Sequence, residues 1–409
     1  MLSNYFRILM FQMFPDRIRK HLYRFLSTMK PDSGNIPFIE NIDCFPDTGK
    51  TKKTALLSLK PGDWFTGIKQ YPEIKIFNTI GLTHSIVKCL NEKGYIVDLI
   101  DFNAVAFIPK KPYDLYLGHG GNCKSIIENL PSSAYIIQYA SGAYWKEFNR
   151  MSKERYDRFF SSRGISGSYS FKRSMDDIIE GEDLLARKAD AAFSCGPRTI
   201  ETFSGISKNI HLLYLGAYLN DRLKVKHKDF EKGRKNFIYV AGTGGNIQKG
   251  LDVIIETFAK TPEFNLFIFC KVEDEVLNAY RKELRLNNIR YIYHYRFRFF
   301  HKKLQKVLEE TNFTVAAAID TGIGTAFSGS LGLGLIPVGY TDIEGSEDDS
   351  CLSKSFTVSE IIAAIRSAGS KTTEWCAKAS LLNLQKYKQR YEPESFNTNF
   401  KHFLDTVIV

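Results

Sequence analysis

The sequence contains no run of about eighteen consecutive apolar residues, so a membrane-spanning helix is not expected. Near its start, Arg7, Asp16, Arg17, Arg19 and Lys20 interrupt the apolar positions, and the pattern of a secretory leader is missing. Cysteine is sparse: Cys44, Cys89, Cys123, Cys195, Cys270, Cys351 and Cys376 are widely spaced with no C-x-x-C pair. That argues against a disulfide framework and for reduced thiols in a cytoplasmic chain. The eight histidines lie far apart with no H-E-x-x-H, so no metal cluster is expected. Glu347, Asp348 and Asp349, flanked by Gly345, Ser346 and Ser350, read as a solvated loop rather than a magnesium site. Neither a P-loop ending in G-K-[ST] nor a dinucleotide fingerprint G-x-G-x-x-G occurs, and no repeat at solenoid spacing is evident.

What is present is an ordinary globular composition, 44% hydrophobic and 25% charged, with a formal net charge of +11. The charge favours anionic partners: nucleotide diphosphates, acidic glycans, nucleic acid or an anionic membrane surface. The length of 409 residues favours two domains over one core.

Residues 1–53 divide into an N-terminal basic amphipathic segment and a connector. Residues 1–30 interleave aromatic and aliphatic side chains with Arg7, Arg17, Arg19, Arg24 and Lys30. Such a segment fits an anionic membrane surface, or equally a helix packed on the body of the protein, with Pro15 breaking the run. Pro31, Gly34, Pro37, Pro46 and Gly49 make residues 31–53 read as an irregular connector.

From Thr54 short apolar runs alternate with helical patterns, the signature of a parallel sheet covered by helices. Strands are expected at 55–59, 95–101, 114–117, 134–139, 191–194 and 210–215, giving a domain over 54–219. The clearest helix is Leu82 to Glu92, stopped by Gly94. Residues 220–235 lose the apolar period in DRLKVKHKDFEKGRK and read as a linker. A second series over 236–375 predicts strands at 237–241, 266–269, 289–294, 314–318 and 336–338. Two such domains facing a cleft are a natural ligand site.

The stretch FIYVAGTGGNIQKGLDVIIETF passes from a strand through Gly242, Gly244, Gly245 and Gly250 into an amphipathic helix. Glycines permit close backbone approach to a phosphate and Lys249 supplies a cation, although such turns also serve simply to pack helix on strand. This order, with the later Asp320–Tyr340 segment DTGIGTAFSGSLGLGLIPVGY, resembles the C-terminal domain of GT-B glycosyltransferases. More narrowly, it resembles the family 4 type that builds bacterial surface polysaccharides.

The resemblance implies an α/β GT-B fold of two Rossmann-like parallel-sheet domains, with residues 376–409 as C-terminal helices returning to the N-terminal domain. The scattered thiols and the basic N-terminal segment add the expectation of a cytoplasmic enzyme, peripheral at the membrane if residues 1–30 bind lipid. By the resemblance, such an enzyme moves a sugar from a nucleotide-diphosphate donor to a glycan or lipid-linked acceptor in polysaccharide synthesis, with no cofactor and no metal. Lys249 and Gly250 match the K-G that contacts the donor diphosphate, with Gly244 and Gly245 in the turn before it. Gly322 and Gly324 match the donor-facing loop, and Gly334, Ile336, Pro337 and Val338 its G-x-I-P-V ending.

Three features depart from the family pattern. The upstream arginine is replaced by Gly244 or Gly245, and the two glutamates are replaced by Thr321 and Gly329. Asp320, adjacent to the first glutamate position, is the candidate to replace it. A degenerate GT-B protein that binds a nucleotide, glycan or partner enzyme is therefore the alternative.

On the other domain YDLYLGHGG resembles the strand that ends in a cleft histidine, which nominates His119 as an active-site residue suited to bind a sugar or move a proton, the alternative being a histidine that only lines a loop. In YASGAYWKEFNRMSKERYDRFFSSRG, Trp145, Arg155 and Arg163 are candidates to face an acceptor. The competing expectation is an ordinary helix with Tyr156, Phe159 and Phe160 inward and its charges solvated. YIYHYRFRFFHKK reads as a strand and loop rather than a nucleic-acid surface, so no nucleic-acid partner is expected, and its His294 and Arg296 are candidates to lie near the donor base.

Overall fold

The computed structural model describes residues 38–45, 52–61, 80–167, 176–217, 219, 225, 227–241, 245–292, 301–319, 324–340 and 351–408. Residues 1–30, Gly244, His294, Arg296, Asp320, Thr321, Gly322 and the acidic run 347–349 lie outside them.

Twelve strands among the described residues form two sheets. The first comprises β1 (Phe38–Ile42), β2 (Lys53–Leu59), β3 (Tyr95–Asp101), β4 (Leu115–Gly118), β5 (Tyr135–Ala140), β6 (Ala191–Ser194) and β7 (Ile210–Leu212), in the spatial order β1-β3-β2-β4-β5-β6-β7. The second comprises β8 (Asn236–Val240), β9 (Asn265–Phe269), β10 (Ile289–Tyr291), β11 (Phe313–Ala317) and β12 (Ile336–Tyr340), in the order β10-β9-β8-β11-β12. All pairings are parallel except that of β1 with β3.

The strands carry near-continuous apolar runs because helices cover both faces of a parallel sheet. Thus β8 buries Phe237, Ile238, Tyr239 and Val240, alternate residues entering different clusters on its two faces. The helix Leu251–Ala259 that follows buries Leu251, Val253, Ile254, Ile255 and Phe258 against one of those faces. The final helix, Pro393–Val407, crosses back to the first sheet. Its stripe of Phe396, Phe400, Phe403, Leu404 and Val407 recurs at helical spacing and enters the cluster that contains Leu57 and Phe193.

One expectation is corrected: the connector over 31–53 contains β1. This strand lies antiparallel at the sheet edge, with a register shift between Ile39 and Ile42 and Asn41 at φ 57°. The Asn41 amide donates to Asp98 Oδ1 at 2.8 Å, which ties the bulge to β3. Pro37 and Pro46 flank this short strand rather than interrupt it, and an edge strand tolerates such neighbours. The helix over Ile80–Glu92 ends at Gly94, whose φ of 86° is the left-handed turn that glycine adopts without strain.

Candidate functional site

In open α/β sheets the crevice for a ligand forms beyond the carboxyl ends of the strands, where the strand order reverses direction. In the second sheet β8 to β10 run one way from the centre and β11 and β12 the other, so the reversal lies between β8 and β11. The turn leading to Lys249 leaves β8, and the segment leading to Asp320 leaves β11. In the first sheet the reversal lies between β2 and β4. His119 is the residue immediately after β4. His119 and the described parts of the two loops, up to Ile319 after β11 and from Gly245 to Lys249 after β8, therefore lie next to the two strand-order reversals.

The described part of the glycine turn is closely constrained. Lys249 donates its amide to Gly245 O at 2.9 Å, and its own carbonyl accepts from the Tyr239 hydroxyl at 3.0 Å. Gly250 adopts φ 84°, and a Cβ built there would stand 2.3 Å from Ala317 O, so only glycine lets the turn slide beneath β11. Gln248 O accepts from the Ile319 amide at 3.0 Å, which joins the turn to the residue before Asp320.

The Gly245 amide, expected to face a diphosphate, donates instead to Glu273 Oε1 at 2.9 Å, while Asn246 N donates to Glu273 Oε2 at 2.9 Å. Asn246 returns the contact through Oδ1, which accepts from Glu273 N at 2.6 Å, and its Nδ2 donates to Lys271 O at 3.1 Å. A carboxylate from the loop after β9 thus takes two amides of the turn. Burial pushes the Cys270 thiol up to about 12, with the Lys249 charge opposing and the Glu273 charge reinforcing the shift.

His119 is held on several sides. Its amide donates to Ser58 O at 3.3 Å, its ring lies 4.5 Å from that of Phe102 and 5.3 Å from that of Tyr139, and Nδ1 is 3.4 Å from Ser141 Oγ. Two residues beyond Ser141, Ala143 packs with Met151 and Ile319 in one buried cluster. The loop that contacts His119 thus reaches the exit of β11.

The helix Trp145–Arg163 has the inward aromatic face of the second reading and departs from it at three arginines. Phe159 is fully buried and joins the core of the second sheet, with Tyr156 and Phe160 packed against the same core. Arg150, Lys153, Glu154 and Asp157 are exposed, but three arginines are turned inward. Arg155 is fully buried, with Nε 3.3 Å from Asp252 Oδ1, and Arg158 Nη1 lies 2.8 Å from Asp252 Oδ2. Arg158 also pairs with Glu256, while Arg163 pairs with Glu283 at 2.6 Å and lies 3.6 Å from the Tyr280 ring. Burial pushes the Asp252 carboxyl up from its ordinary value, with Arg155 and Arg158 opposing the shift. Trp145 is likewise engaged, its indole donating to Asp183 Oδ1 at 2.8 Å. These side chains join elements of the protein to one another.

Gly324 precedes the short helix Thr325–Leu331, with open space at the position of a Cβ. Among the described residues no group of three or more His, Cys, Asp or Glu side chains could hold a metal ion, and no helix is long and apolar enough to cross a membrane.

No family model matches the chain, and no curated protein matches it in sequence. Solved structures do match. Sucrose-phosphate synthase from Thermosynechococcus elongatus superimposes with a TM-score of 0.58 at 10% identity, over 87% of this chain and 99% of its own. HepE of Anabaena, solved with UDP and glucose, gives 0.55 at 10% identity, over 87% of this chain and all of its own. The fold is GT-B. TarM of S. aureus gives 0.50 at 12% identity over 72% of this chain, which spans 55% of the TarM chain. At these identities the likeness establishes the GT-B architecture, and the chemistry must be argued from the site.

Proposed function

We propose that this GT-B protein is a glycosyltransferase that takes its sugar from a nucleoside diphosphate, with UDP as the first nucleotide to test, and passes it to a glycan or lipid-linked acceptor. One observation carries the reading: the loop of Lys249, the exit of β11 before Asp320, and His119 occupy the strand-order reversals of their sheets, where this architecture opens its crevices.

In the proposed reaction the bond between the sugar C1 and the diphosphate oxygen breaks, and the diphosphate leaves with the electron pair. C1 then forms its new bond to an acceptor hydroxyl, which loses its proton. Lys249 faces the leaving diphosphate, where a cation in a crevice opposes the developing negative charge. Asp320, Thr321, Gly322 and Gly324 are assigned to the sugar and diphosphate side, with Gly244 and Gly245 shaping the turn. His119, between two rings and beside Ser141, is assigned to the sugar hydroxyls or the transferred proton. Synthesis of a surface polysaccharide, and attachment to anionic lipid through residues 1–30, belong to the same proposal on the strength of the sequence resemblance and of that segment's basic, aromatic character.

A second reading, a GT-B protein that binds without transferring, draws support from Glu273, which already occupies two amides of the turn. The two are separated by a UDP-release assay over UDP-sugars with a glycan and lipid extract. Acceptor-dependent release that falls by about two orders of magnitude in His119→Ala supports transfer. Equal release by parent and variant refutes the role of His119, and no release with any sugar favours the binding protein.

A further inference from the structure

Arg155 heads the largest side chains that the structure buries completely. An isolated guanidinium is costly to bury, so its contacts need an account. Nε donates to Ile247 O at 3.3 Å, inside the glycine turn, and Nη2 donates to Ala317 O at 2.9 Å, the last residue of β11. Asp252, in the first turn of the helix that follows the glycine turn, supplies the counter-charge, and the guanidinium lies 4.8 Å from the Phe356 ring. One planar group thus spans the two loops that leave β8 and β11 and the helix between them. The helix that carries it starts near the His119 side, through Tyr144, Ala143 and Ser141.

We propose that Arg155 is a positioning residue for the donor site, fixing the Lys249 turn and the β11 exit in one relation and coupling both to the His119 side. The inference rests on the reading of those two loops as the place of the donor diphosphate and sugar. Only a guanidinium meets these demands, because its donors diverge in a plane, whereas a lysine ammonium is a point charge on a flexible stem. Arg163, at the far end of the same helix, docks on Tyr280 and Glu283 and bonds to neither loop. It therefore provides a control for docking of the helix alone.

The test compares Arg155→Lys with Arg163→Gln in two measurements: UDP titration by calorimetry, and amide exchange without ligand. For Arg155→Lys, UDP affinity is expected to fall on the order of ten- to a hundredfold, as for a site whose geometry loosens by a fraction of an ångström. The amides of Lys249, Gly250, Leu251 and Ile319, each bonded within the turn or between turn and β11, should exchange at least about tenfold faster. Arg163→Gln should leave both near parental values. Equal effects of the two variants, or parental behaviour of Arg155→Lys, overturn the proposal.

If the parent protein binds no UDP, the functional reading fails while the exchange comparison still decides the role of Arg155. If Arg155→Lys does not fold, exchange of the parent protein decides. The helix amides around Arg155 and those of the two loops should then open as one unit, and independent opening overturns the proposal.

Discussion

Replacing Gly250 by alanine tests the close approach on which the candidate donor site is built. At φ 84° an L-residue carries the left-handed penalty of about 1–2 kcal/mol. The new Cβ also meets Ala317 O at 2.3 Å, Ala317 C at 2.5 Å and Ala317 Cβ at 2.8 Å, distances that require movement of backbone. Strand β11 cannot yield easily, because it pairs with β8 on one side and β12 on the other, and Ala317 O also accepts from Arg155. Overpacking of this kind costs about 1–3 kcal/mol, so the total should be about 2–5 kcal/mol.

Gly164→Ala is the matched control. Gly164 has φ 60° with nothing within 4 Å of the place a Cβ would take, so only the backbone penalty applies. In urea unfolding, a loss of about 3 kcal/mol moves the midpoint by roughly 1–3 M at an m-value of about 1–3 kcal/mol/M. Gly250→Ala should show the larger shift and a loss of UDP affinity with it. Equal shifts in the two variants would refute the packing argument.

Two further outcomes are expected. Lys228, whose ammonium donates to Thr311 O at 2.6 Å, is pushed down to about 7 by burial. Between that value and the unfolded lysine value the unfolded chain binds the extra proton, so stability should rise with pH from about 7 to about 8.5, below the range where buried thiols oppose it; a Lys228→Met variant should flatten that rise in urea midpoints, and an unchanged slope would contradict the assignment. For the N-terminal segment, liposomes containing anionic lipid should float the full chain and not a chain lacking residues 1–30, whereas identical flotation rejects the anchor.

Much of the architecture was legible because strands buried on both faces write continuous apolar runs into the sequence. Tyr95–Asp101 and Ala191–Ser194 match their expected limits, and most other strands differ by one or two residues. The first strand was hidden because its five residues, FIENI, alternate imperfectly around a bulge at Asn41 and follow a proline. At the site, the glycine turn announces itself by composition, but the destination of its amides does not. Glu273 lies 28 residues after Gly245 and reaches it only because β8 and β9 are neighbours. The arginines of helix Trp145–Arg163 were illegible for the same reason. Arg158 and Asp252 are 94 residues apart, and pairing over such a distance leaves no local period, so these arginines read as solvated until the second sheet is placed against the helix.

Lys249 is the residue on which the donor-site assignment depends most directly. Calorimetric titration of the parent protein with UDP and with UDP-sugars should show saturable binding. Lys249→Ala, which removes one charge-assisted contact worth about 1.5–3 kcal/mol, should weaken it by roughly ten- to a hundredfold. Unchanged affinity in the variant for every nucleotide that the parent binds would contradict the assignment of the diphosphate to this turn.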